Sequence, residues 1–147
     1  MYVGILTGPF TDTPLDYVAA FAAQYGFGGL EVATGPGSKH INTDTFSEAD
    51  ATALLELLEK RMIRISALAA YTDLTSGDPQ RREQNIQTVH RAIDIANMLG
   101  VEVVCTLAGL PPAGKSRQET IEEDCSVVFP PLLAHADEKG VKLALEN

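Results

Sequence analysis

Glu146 closes a short strand in which Val141, Leu143 and Leu145 alternate with Lys142, Ala144 and Glu146. Alternate strand residues face opposite sides. With helices over the leucine side, Glu146 points inward from the strand's C-terminal tip. An inward carboxylate is costly unless it binds something, and in parallel α/β folds such tips are where ligands sit. A carboxylate in that position can hold a cation or carry a proton. Glu31 ends an earlier strand, Gly29-Leu30-Glu31-Val32. It is either a second site carboxylate or a structural group bonded to nearby backbone N–H. His40 lies in the loop that follows, from Thr34 to Thr45, rich in Gly, Pro, Ser and Thr. Loops after strands line sites in such folds, although a loop histidine is also an ordinary surface residue.

A second chemistry is suggested by Gly109-Leu110-Pro111-Pro112-Ala113-Gly114-Lys115-Ser116, which fits the phosphate-binding pattern G-x-x-x-x-G-K-[ST] between a strand and a helix. That reading implies a P-loop-like nucleotide-binding protein. Against it, Pro111 and Pro112 have no N–H to offer a phosphate. Ser116-x-x-Glu119 is also a capping box, which accounts for the serine without a nucleotide. His90 and His135 fall within helical segments and read as structural or solvated. Glu119, Glu122, Glu123 and Asp124 lie in a helix's first turns, where they suit its dipole and make a poor metal site.

The elements that must position these groups follow from periodicity. Val3–Thr7 is an apolar strand. Asp12 or Thr13 can cap a first helix with Pro14 in its first turn, and Gly26 ends it. Ser47 with Asp50 opens a second helix carrying Leu54, Leu55, Leu57 and Leu58. Met62–Ala70 is the third strand. Asp78-Pro79 starts a third helix that Gly100 ends, and Val101–Leu107 is the fourth strand. The fourth helical segment opens at Ser116, must break or kink at Pro130-Pro131, and stops at Gly140. Val141–Leu145 is the fifth strand. The order βαβαβαβαβ predicts a parallel sheet with helical crossovers. Two architectures share it: a complete doubly wound five-stranded sheet, which would suit a non-catalytic binding module, or the first five strands of an eight-stranded barrel of about 250 residues.

Composition narrows the class. The 147 residues are 45% hydrophobic and 21% charged, enough for one domain with a real core. A net charge of -9 argues against nucleic acid and anionic membrane partners. No apolar run approaches a membrane span of about 20 residues. Cys105 and Cys125 sit in apolar surroundings, lack metal-type spacing and read as buried thiols of a cytoplasmic protein.

Four stretches carry a family likeness: Gly26-Phe27-Gly28-Gly29-Leu30-Glu31-Val32, Ile65-Ser66-Ala67-Leu68, Ala96-Asn97-Met98-Leu99-Gly100-Val101, and Gly140-Val141-Lys142-Leu143-Ala144-Leu145-Glu146-Asn147. Through them the chain resembles the N-terminal part of the xylose isomerase-like barrel family, the sugar phosphate isomerases and epimerases. The resemblance implies a TIM barrel, a divalent metal (Mn²⁺, Mg²⁺ or Zn²⁺) and a small-molecule carbohydrate or polyol substrate. It implies Glu146 as a metal ligand and catalytic carboxylate, and His40 as a site histidine. In the family strand three often ends in a site histidine. Tyr71 stands at that place here, a departure that bears on substrate class. The family's other ligands, an Asp, a His and a Glu on strands six to eight, fall beyond Asn147. On this reading residues 1–147 are one truncated domain, about five strands and four helices of a (β/α)8 barrel, inactive by itself.

Two structural expectations follow. Open edges on strands one and five should recruit further copies of the chain. Aligning strands three to five on Ile63, Val101 and Val141 puts Arg64, Glu102 and Lys142 in one inward layer. It then puts Ser66, Val104 and Ala144 in the next, and Leu68, Thr106 and Glu146 at the C-terminal end. In this register Glu102 pairs with Arg64 or Lys142, and Thr106 joins Glu146 in the site.

Overall fold

The computed structural model describes residues 1–146; Asn147, the last residue of the family-like stretch, lies outside the described residues. The strands are β1 (Gly4–Leu6), β2 (Gly29–Gly35), β3 (Ile41–Asn42), β4 (Arg64–Ala70), β5 (Val103–Leu107) and β6 (Lys142–Glu146). The α-helices are α1 (Leu15–Gln24), α2 (Glu48–Glu59), α3 (Pro79–Leu99), α4 (Arg117–Glu119) and α5 (Ser126–Lys139), with a π-helical turn at Thr120–Cys125. All strand pairs are parallel, in the order β1-β2-β4-β5-β6, with the two-residue β3 on the side of β2.

That order separates the two architectures. A doubly wound sheet reverses its strand order at a switch point. Here each long strand is laid beside the one before it, which is how a barrel is wound. One face of the sheet is covered by helices. Leu30, Val32, Leu68, Val104 and Ile93 are fully buried there, each worth about 1.5–3 kcal/mol relative to exposure. Among the described residues no helix is long and apolar enough to cross a membrane.

The local signals hold at most helix ends. Ser47 and Asp50 form a reciprocal capping box, and the Asp78 side chain accepts from the N–H of Gln80 and Arg81. Gly100 and Gly140 end α3 and α5 in the left-handed conformation. The cap of α1 and the break at the prolines come out differently. Pro14, not Asp12 or Thr13, occupies the cap of α1, and no side chain caps it. Pro130 and Pro131 lie inside a continuous α5. The irregularity falls upstream, in the π turn. A proline ring presses on the carbonyl four residues before it; for Pro130 that is Ser126, the first residue after the wide turn.

Candidate active site

The strand register decides which residues share the uncovered face. Leu6 pairs with Glu31, Glu31 with Ala67, Ala33 with Ala69, Ala69 with Cys105, Cys105 with Ala144, and Leu107 with Glu146. Paired residues of parallel strands point the same way, so Glu31, Cys105 and Glu146 lie on one face. Tyr71, two residues past Ala69, joins them. Alanines at 33, 67, 69 and 144 leave room in which the long side chains meet.

They meet at the Tyr71 hydroxyl. It donates to Glu31 Oε1 at 2.5 Å and contacts Glu146 Oε2. Glu31 and Glu146 stand three strands apart, about 14 Å in a flat sheet. One phenol oxygen reaches both because the sheet curls toward this face, as a barrel wall does. Burial pushes the Tyr71 phenol well above its ordinary range, reinforced by its bonds to Glu146 and Glu31 and by the charge of Glu31. Tyr71 therefore remains a donor at neutral pH. Burial also raises the Cys105 thiol, helped by the negative charge of Glu31 and Glu146. It is held as a thiol, the poorer nucleophile.

Tyr71 has one proton and two carboxylate oxygens against it. A single O–H leaves an excess of acceptors, which a bound cation would balance. An all-oxygen pair suits hard or borderline cations such as Mg²⁺, Mn²⁺ or Zn²⁺. The donor set fits but is incomplete: among the described residues no three His, Cys, Asp or Glu come together as a metal cluster. Beside the carboxylate lies a cleft of about 760 Å³, with Tyr71, Asp73, Leu107, Leu110, Arg117 and Glu146 in its lining. Its walls are mostly apolar, with polar groups at a few points, as small-molecule sites are. Among the described residues Arg117 has no ion-pair or hydrogen-bond partner for its guanidinium.

The remaining sequence candidates fall elsewhere. Thr106 pairs with Leu145, not Glu146; it is fully buried, and its hydroxyl donates to the Ala70 carbonyl. It faces the helices and leaves the site. The inward layer of alternating charges fails with it. Glu102 precedes β5 and is exposed, no ion pair joins Arg64, Glu102 and Lys142 among the described residues, and Arg64 stacks over Tyr2 at 4.5 Å. Counting in twos went wrong in two places. A bulge in β4 inserts a residue opposite Leu30 and Glu31, and Val101-Glu102 precedes β5 where Val141 alone precedes β6, an offset of one residue. Each extra residue turns the later side chains to the other face.

His40 is 9% exposed and its ring is committed on both sides. Nε2 donates to the carbonyls of Thr13 and Phe10, so it carries the proton. Nδ1 accepts from Thr7 Oγ1, which itself accepts from the Ala33 N–H. This histidine ties the β2–α2 loop to the start of α1 and makes no hydrogen bond to the Tyr71 group. His135 contacts Asp94 at 3.0 Å and His90 edge to face.

The Gly-Lys-Ser stretch is committed in the same way. Lys115 Nζ binds Asp124 at 2.8 Å and Glu123 at 3.1 Å, which raises its pKa. The Ser116 hydroxyl donates to Glu119 and accepts its N–H, forming the capping box. Lysine and serine are thus both occupied, and nothing supports nucleotide binding.

A xylose isomerase-like TIM barrel model matches residues 19–147. The chain belongs to the xylose isomerase-like TIM barrel family. Its sequence is 28% identical over 138 residues to the uncharacterized protein YfiH of Bacillus subtilis (strain 168), covering 90% of this chain and 44% of that protein. Among solved structures, a D-tagatose 3-epimerase-like protein superposes with a TM-score of 0.78 at 20% identity, over 100% of this chain and 53% of its own. The IolI protein with a bound zinc atom gives 0.74 at 20%, over 99% and 51%. D-psicose 3-epimerase from Clostridium cellulolyticum H10, solved with D-tagatose, gives 0.72 at 16%, over 99% and 52%. At these identities the structural likeness is one of fold. The chain spans about half the length of these relatives, and a partial barrel accounts for its five-strand sheet order.

Sequence reasoning missed Cys105, Asp73 and Arg117 as neighbours of the carboxylates. Only Asp73 carried a signal, since it lies just past a strand tip in a loop of the kind that lines barrel sites.

Proposed function

We propose that the whole protein is a divalent-metal-dependent isomerase or epimerase that moves a proton next to the carbonyl of a sugar, sugar phosphate or related polyol. The observation that carries this reading is the convergence of Glu31, Tyr71 and Glu146 at the C-terminal ends of parallel strands, beside the cleft. Glu146 would hold the metal, and its carboxylate is the group able to take or return a substrate proton. A bound divalent ion supplies Lewis acidity to the substrate's carbonyl oxygen. Tyr71, held protonated, donates a hydrogen bond and fixes the carboxylates. Glu31 accepts from a substrate hydroxyl or from Tyr71. Mn²⁺, Mg²⁺ and Zn²⁺ are the candidate ions, and the zinc atom in IolI favours testing zinc first.

In this reading residues 1–147 form one unit, the N-terminal part of a (β/α)8 barrel, inactive by itself. Its β1 and β6 edges associate with other copies of the chain. Unpaired strand edges recruit other chains, and a monodisperse monomer in light scattering at high concentration would speak against it. Two unpaired cysteines suit a reducing cytoplasmic compartment.

The test is deuterium incorporation from D₂O into D-tagatose and D-psicose, followed by NMR, with the whole protein. Exchange that requires divalent metal, stops with EDTA and is lost in Glu146→Gln supports the reading. Exchange unaffected by either change refutes it.

A further inference from the structure

Asp73 is anomalous among the chain's acids. Asp78 caps α3, Asp124 binds two cations and Asp50 completes a capping box. Asp73 Oδ1 is sealed from solvent and has no hydrogen-bond partner, while its residue lines the cleft that holds Tyr71 and Glu146.

The donors around Asp73 are spent elsewhere. Thr75 gives its N–H to the Ala108 carbonyl and its hydroxyl to the Leu110 carbonyl. Asn85 Nδ2 and the Ser76 N–H go to the Asp73 backbone carbonyl, not to its carboxylate. Opposite stands Gly109 with φ +108°, where a Cβ would lie 1.9 Å from Oδ1. A residue with a Cβ is strained at that φ, and its Cβ would displace the carboxylate, which no hydrogen bond holds among the described residues. A buried acceptor without a donor weakens a fold, and such costs are retained where a ligand completes the bonding.

We propose that Asp73 is a substrate-contacting residue that accepts a hydrogen bond from a hydroxyl of the polyol bound in the Tyr71–Glu146 cleft. This rests on the polyol reading above and adds a requirement: the substrate carries a free hydroxyl on the side of the cleft formed by the loop after β4. A carboxylate only accepts, so the complementary group is a donor. Asp73 is half-buried at the cleft wall, and its side chain must turn to bring an oxygen to that group. Gly109 is the positioning residue, because any larger residue would push the carboxylate out of this place.

The experiment titrates D-tagatose into the whole protein, Asp73→Ala, Asp73→Asn and Gly109→Ala, with affinity read by NMR shifts and Tm read separately. A charge-assisted hydrogen bond predicts about tenfold or greater weakening in Asp73→Ala. Tm should be unchanged or raised, because the variant removes an unsatisfied group; Gly109→Ala should weaken binding as well. Asp73→Asn, close in shape, carries the binding test should the alanine variant fail to fold. Unchanged affinity in the folded Asp73 variants overturns the proposal and leaves the polyol reading standing. A lowered Tm with unchanged affinity assigns Asp73 a structural role and overturns it too. Absence of saturable D-tagatose binding by the unaltered protein overturns both.

Discussion

Replacing Tyr71 with phenylalanine tests the organisation of the site with little change in shape. The ring stays packed, and the hydroxyl that touches both Glu31 and Glu146 is removed. A hydrogen bond to a charged group contributes about 1.5–3 kcal/mol. Glu146 is exposed and Glu31 half-buried, so water recovers part of that loss. The carboxylates, no longer bridged, also repel one another, an effect that salt screens. The expected net cost is about 1–2 kcal/mol, read from urea midpoints at pH 7. The alkaline limb is the sharper assay. Burial and the two carboxylates raise the folded-state phenol, so the folded chain keeps a proton that the unfolded chain releases near pH 10. That contribution is complete below about pH 10 and is lost as pH rises toward the folded-state value. Tyr71→Phe should flatten this fall. A variant within about 0.3 kcal/mol of the parent, with the same alkaline limb, would refute the view that this phenol holds the two carboxylates together.

Three further outcomes are expected. Arg117 lines the cleft, its guanidinium unpartnered among the described residues and able to pair with phosphate, so Arg117→Ala should weaken phosphate-bearing sugars about tenfold while leaving neutral ketoses unchanged in competition binding; equal loss for both would refute this. Asp124→Ala should cost about 1–3 kcal/mol in urea unfolding, because a side chain only 8% exposed holds both Lys115 and Arg82; the cations' own exposure keeps the cost below that of a fully buried pair. Ser47→Ala should cost about 1 kcal/mol through loss of the α2 cap, a loss that Ser47→Asp should largely restore.

Much of this protein was legible from local signals. The helix starts at Ser47, Asp78 and Ser116 and the stops at Gly100 and Gly140 follow from donors and acceptors a few residues apart, so sequence spacing alone determines them. The parallel order of strands and helices, the family-like stretches and the inward Glu146 were readable for the same reason. Each depends on neighbours in the chain or on a period that runs without interruption.

The tertiary structure decided whatever needed a relation between strands. The link before β5 is one residue longer than the link before β6, which set Thr106 opposite Leu145 on the helix side and left Glu102 outside the strand, because strand faces alternate and one residue of slip inverts them. The choice between a reversing and a consecutive strand order was likewise fixed only by pairing. His40 shows the same limit: its residue type suggested a ligand, but partners about thirty residues away had already taken both ring nitrogens. The meeting of Glu31, Tyr71 and Glu146 spans 115 residues of sequence, and only the inward curl of the sheet brings them to one oxygen.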